Sequence, residues 1–84
     1  MKKLLDKDSL SGYLSKLQYL QRACLGREGY VDLYIKGSTV YFEFYGRKDD
    51  LLLGFVLEEG ETTEADARSY YDELLKMIKK EGLL

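Results

Sequence analysis

The chain reads as an α+β domain of two layers, α-β-β-β-α, in which a three-stranded antiparallel meander carries both helices on one face. Three observations predict it. Two adjacent segments alternate apolar and polar residues with a period of two and are joined by the pair Gly37-Ser38. A third apolar segment follows at meander spacing. The stretches before and after this region repeat apolar residues at three- and four-residue steps, the spacing of one helix face.

In the first helix, expected over 8–25, Leu10, Tyr13, Leu14, Leu17, Leu20, Gln21 and Cys24 trace one stripe. Asp8 or Ser9 caps its start and Gly26 ends it in the left-handed conformation. Gly12 costs about 1 kcal/mol relative to alanine inside a helix, which predicts a first turn that begins late or frays. The first strand, 29–36, places Val31, Leu33 and Ile35 on one side and Tyr30, Asp32, Tyr34 and Lys36 on the other. The second, 39–46, divides Val40, Phe42 and Phe44 from Thr39, Tyr41, Glu43 and Tyr45. A two-residue loop with Gly first fits a type II′ turn. It sets Ile35 opposite Val40, Tyr34 opposite Tyr41, Leu33 opposite Phe42, Asp32 opposite Glu43 and Tyr30 opposite Tyr45, so that both faces match row by row.

The third strand, 51–58, is apolar on both sides. A four-residue loop from Arg47 to Asp50 turns Leu53 and Phe55 to the core and puts Leu52, Gly54 and Val56 on the tyrosine face. The last helix, 63–81, opens on Thr63 with Asp66 three residues on, a capping box with a shortened acid. Glu64 and Asp66 in its first turn, and Lys76, Lys79 and Lys80 near its end before Gly82, complement the helix dipole. Ala67, Tyr70, Tyr71, Leu74, Met77 and Ile78 supply its buried stripe.

Composition narrows the function. Eighty-four residues make a single domain, 1–84, and 45% hydrophobic with 33% charged residues is a globular balance. One cysteine forms no intrachain disulfide, which favours a reducing, cytoplasmic home, and Cys24 on the helix stripe reads as a buried inert thiol. Met1-Lys2-Lys3-Leu4-Leu5 starts like a signal sequence, but Asp6, Lys7 and Asp8 interrupt it before an apolar region forms. No apolar run approaches a membrane span. The sequence has no histidine, the commonest general base and metal ligand. It contains no phosphate loop, Cys-x-x-Cys pair or nucleophile elbow. The chain is therefore expected to be non-enzymatic, with no catalytic residue, metal or cofactor.

The candidate site is the tyrosine face. Tyr30, Tyr34, Tyr41 and Tyr45 would wall a shallow slot whose centre holds Asp32 and Glu43, with Gly54 leaving a gap beside them. Tyrosines give contact area at low entropic cost, and opposed carboxylates suit an arginine or lysine from a partner protein. The structural alternative is a sheet stabilised by cross-strand aromatic pairs, its acids neutralised by Lys36 or Arg47. The expected function is a small protein-binding module that regulates or inhibits a larger partner.

Other functions are open on the same residues. Aromatics on an open sheet suit stacking of single-stranded RNA, which a net charge of −2 and two central acids disfavour. The element order resembles that of double-stranded-RNA-binding domains, but where those carry lysines at the start of the last helix this chain has Glu64, Ala65, Asp66 and Ala67, so their function is not carried over. Glu58, Glu59, Glu61, Glu64 and Asp66 form an acidic segment, with Asp49 and Asp50 at the other end of the sheet. In size and element order the chain is similar to a few anti-CRISPR inhibitors, compact acidic proteins of phages and mobile elements. That likeness implies a nucleic-acid mimic acting through Asp49, Asp50, Glu58, Glu59 and Glu61 on a partner's basic groove. A symmetric homodimer through the tyrosine face is the remaining reading.

Overall fold

The computed structural model describes residues 3–25, 30–46 and 48–82. Elements follow in the expected order, α1 (Lys7–Leu25), β1 (Tyr30–Lys36), β2 (Thr39–Tyr45), β3 (Leu51–Glu58) and α2 (Glu64–Lys80), and the three strands form an antiparallel sheet with β2 in the centre. The expected positions of Gly26 and Arg47, and of the Cys24 and Tyr30 side chains, lie outside the described residues.

The β1–β2 register is the one the turn dictates, from Ile35 opposite Val40 to Tyr30 opposite Tyr45. Gly37 has φ +63 while Ser38 stays out of the left-handed region, as a type II′ turn requires. The other hairpin departs from expectation. Gly46 N–H donates to Asp50 C=O at 2.9 Å, so the connection is one residue shorter than four, and Asp49 takes the left-handed conformation with φ 60. The pairing slips by one between Phe44 and Tyr45, so that Leu51, not Leu52, stands opposite Tyr45. The extra residue makes a bulge. Leu52 consequently turns towards α2, beside Met77, Lys80 and Glu81.

The apolar face of the sheet meets both helices. Val31, Val40, Phe42, Phe44, Phe55 and Leu57 are buried against Leu10, Leu17 and Leu20 of α1 and Ala67, Leu74 and Ile78 of α2. An aromatic ladder crosses the interface: Phe42 stacks on Phe55 at 5.2 Å, and Phe55 on Tyr70 of α2 at 5.4 Å. The helices meet each other through Tyr13 and Tyr71, edge to face at 6.1 Å, with Lys16 Nζ over both rings. Partial burial against Tyr13 and the nearby Asp72 push the Tyr71 phenol above its ordinary pKa, burial first.

The chain before α1 holds the main addition to the expected architecture. Lys3–Leu5 runs antiparallel to the segment that enters α2: Leu5 N–H donates to Thr62 C=O, Gly60 N–H to Leu5 C=O, and Glu64 N–H to Lys3 C=O. Leu5 is 1% exposed and belongs to the core. Lys3 Nζ lies 3.6 Å from the Glu64 carboxylate, which also accepts from the Ser9 hydroxyl. Lys3–Leu5, within the stretch that starts like a signal sequence, thus forms a structural strap.

The helix caps follow the same chemistry with one correction. Thr63 caps α2 by accepting the Asp66 N–H at 3.1 Å. The α1 cap is Asp6, two residues earlier than Asp8 and three earlier than Ser9; its carboxylate accepts the Ser9 N–H at 2.8 Å. Those bonds from Ser9 hold the Asp6 carboxyl below its usual pKa. With this cap the first turn forms in full despite Gly12, where an added Cβ would meet nothing within 4 Å. Gly12→Ala should therefore raise stability by about 1 kcal/mol, read as a higher urea midpoint at unchanged slope.

Candidate protein-binding face

With both helices on one side, the other side of the sheet is open. Alternation along the strands lays four rows across it: Lys36, Thr39 and Glu58; Tyr34, Tyr41 and Val56; Asp32, Glu43 and Gly54; then Tyr45 and Leu51, with the Tyr30 backbone paired to Tyr45. The structure so brings Asp32, Tyr34, Tyr41, Glu43 and Tyr45 onto one face, with Leu51 in the place expected for Leu52. Leu51 Cδ1 would lie 3.8 Å from a Cβ at Gly54, which puts it on this face.

Tyr34 and Tyr41 stack with ring centroids 4.8 Å apart and planes within 9°. Directly opposed residues on adjacent strands make such a pair without strain. Beside it a groove of 290 Å³ runs over Gly54, lined by Tyr34, Tyr41, Glu43 and Val56, with the backbone of Phe42 and Phe55 beneath. This is the lower bound of ligand clefts, about 300–1,000 Å³, and suits one long side chain better than a metabolite. Glycine makes the groove: any side chain at position 54 would stand in it.

The two acids are not equivalent. Glu43 lines the groove, and its Oε2 accepts the Tyr45 hydroxyl at 2.9 Å, which fixes the carboxylate. Asp32, opposite Glu43 in register, lies towards the β1 edge and outside the groove lining. Lys36 neutralises neither: among the described residues the only ion pair joins Lys3 and Glu64. Arg47, the other cation expected to neutralise the acids, lies outside the described residues. A carboxylate oriented by one neutral donor, with no ion pair to a described residue, retains acceptor capacity for a guanidinium or ammonium group.

The acidic segment is dispersed. Glu58 ends β3, accepts the Thr39 hydroxyl at 3.1 Å and donates its N–H to Thr62 Oγ1, so it serves the sheet end and the turn. Glu64 is engaged by Lys3 and Ser9. Glu59 and Glu61 remain exposed at this end, while Asp49 and Asp50 are exposed at the other, separated by the eight residues of β3. At 3.3 Å per residue that is about 26 Å. Among the described residues no group of three potential metal ligands comes together, and no helix is long and apolar enough to cross a membrane.

Comparison of the chain with protein-family models, with curated proteins and with solved structures finds no match in any of the three.

Proposed function

We propose that this chain is a small, non-enzymatic protein-binding module that regulates or inhibits a larger cytoplasmic partner by taking a basic side chain of that partner into the groove over Gly54. The supporting observation is the stacked Tyr34–Tyr41 pair beside a side-chain-sized groove whose wall carries the oriented Glu43 carboxylate. Tyr34 is 49% and Val56 44% exposed, so an aromatic and apolar rim surrounds the acid. A partner's arginine would lay its guanidinium against the rings and donate to Glu43, with the rim excluding water. Neither a single-stranded RNA platform nor an acidic mimic fits as well. The groove lining contains no Lys or Arg, one face of each stacked ring is taken by the other, and the exposed acids do not form one patch.

Affinity capture from nuclease-treated native lysate tests this. The wild-type chain should retain a stoichiometric protein. Two variants should lose it while keeping a native far-ultraviolet dichroism spectrum: Tyr34→Ala with Tyr41→Ala, which removes the walls, and Gly54→Val, which fills the groove. A Cβ at Gly54 meets its nearest neighbours at 3.8 Å, ordinary contact, so the second variant is expected to keep the fold, which its dichroism spectrum checks. Each truncated tyrosine of a binding centre costs about 2 kcal/mol or more, and either variant should weaken a purified complex at least about tenfold. Retention by Gly54→Val, or a parallel capture without nuclease that recovers only RNA, would sink the proposal.

A further inference from the structure

The outer side of β1 is a sheet edge, and its geometry follows from the turn. In a two-residue hairpin Lys36 and Thr39 form a hydrogen-bonded pair, as then do Tyr34 with Tyr41 and Asp32 with Glu43. Leu33 and Ile35 therefore point their N–H and C=O groups away from β2, and these make no backbone hydrogen bond among the described residues. Natural proteins blunt such edges with proline, bulges, inward charges or a covering segment. β3, the opposite edge, has its bulge and Gly54; β1 is regular from Val31 to Lys36 and has neither. On the helix side of this edge Ile35 is 51% exposed, although Val40 opposite it is buried.

We infer that β1 is a self-association edge: two copies of the chain pair β1 to β1, antiparallel, about a two-fold axis at Tyr34, giving one continuous six-stranded sheet. The sequence of the edge is complementary to itself in this register. Asp32 meets the partner's Lys36 and Lys36 the partner's Asp32; Leu33 meets the partner's Ile35, which covers the exposed Ile35; Tyr34 meets its own copy. Leu33 and Ile35 then exchange their free N–H and C=O groups, four backbone bonds around the axis. A slip of one residue would oppose apolar and tyrosine faces. The neighbouring symmetric registers, centred on Leu33 or Ile35, leave Asp32 and Lys36 without each other. Opposite charges directly across a strand pair are favourable, and neither group has an ion-pair partner within its own described chain. This inference is independent of the groove, and its test needs only the purified chain.

Sedimentation equilibrium over a wide concentration range should show a reversible dimer. Ile35→Pro removes an outward N–H and the exposed Ile35 side chain without breaking a bond to β2, and should give a monomer with native dichroism. Lys36→Glu makes the edge wholly acidic and Asp32→Lys makes it wholly basic. Each alone should dimerise at least about tenfold more weakly, and the two mixed should form a one-to-one heterodimer. That mixing result stands even if Ile35→Pro fails to fold. A wild-type chain that stays monomeric at the highest attainable concentration overturns the inference. So does failure of the charge variants to combine, or a dimer that survives Ile35→Pro and is lost in Val56→Asp, which would use the open face.

Discussion

Phe42→Ala is expected to leave the chain largely unfolded under mild denaturing conditions. Phe42 sits in the middle of the central strand, 0% exposed, with Phe55 stacked on it and Tyr70 stacked on Phe55. Truncation removes the foot of that ladder and opens a void that the sheet on one side and two helices on the other cannot both follow inwards. Such changes cost about 3–5 kcal/mol. At about 0.05–0.15 kcal/mol per residue, a chain of this length has roughly 4–13 kcal/mol in total. The urea midpoint should fall by more than about 2 M, since the slope for a small domain lies near the low end of 1–3 kcal/mol per molar. Phe42→Leu, which keeps most of the volume, should fall much less. A near-native midpoint for the alanine variant would mean that the ladder is not what joins the layers.

The second large effect is expected at Leu5, and it separates a structural strap from a loose leader. Leu5→Ala should cost about 2–5 kcal/mol, because the side chain is 1% exposed in the core and its own backbone N–H and C=O are held by Thr62 and Gly60. Leu4, its 44% exposed neighbour, is the internal control: Leu4→Ala should stay within about 0.5 kcal/mol. Chemical denaturation of both variants decides it. Equal midpoints would show that the segment contributes no side-chain packing.

The two substitutions also mark where the sequence was readable. Phe42 was assignable to the core because Gly37-Ser38 allows one hairpin register, and that register puts every apolar residue of β1 and β2 on one side. The open face, with Tyr34 against Tyr41 and Glu43 beside Gly54, follows from the same parity. The fold class and element order were legible for this reason. Leu5 was not, since a strap of three residues has no period and a Lys-Lys-Leu-Leu start resembles a targeting segment. The Asp6 cap went with it: once Leu5 is anchored, the helix begins where the strap ends. The Leu51–Leu52 exchange turned on whether Asp49 occupies a left-handed position, which a short polar residue does often enough that loop length alone does not decide. The inequality of Asp32 and Glu43 depends on how the groove is bounded, and the Glu58 contacts with Thr39 and Thr62 on how the β3–α2 turn closes. Neither has a sequence period.

The strap also orders events in time. Ser9 and Glu64 are 55 residues apart in the chain, and the bonds of Lys3–Leu5 to residues 60–64 span a similar distance. Closing so long a loop has an entropic cost that the local meander does not bear, so the hairpins can form while the strap is still unattached. Interactions made after the transition state slow unfolding without speeding folding. The strap is therefore expected to act as a latch: Leu5→Ala should speed unfolding while leaving the folding rate nearly unchanged, read from the two limbs of a denaturant chevron.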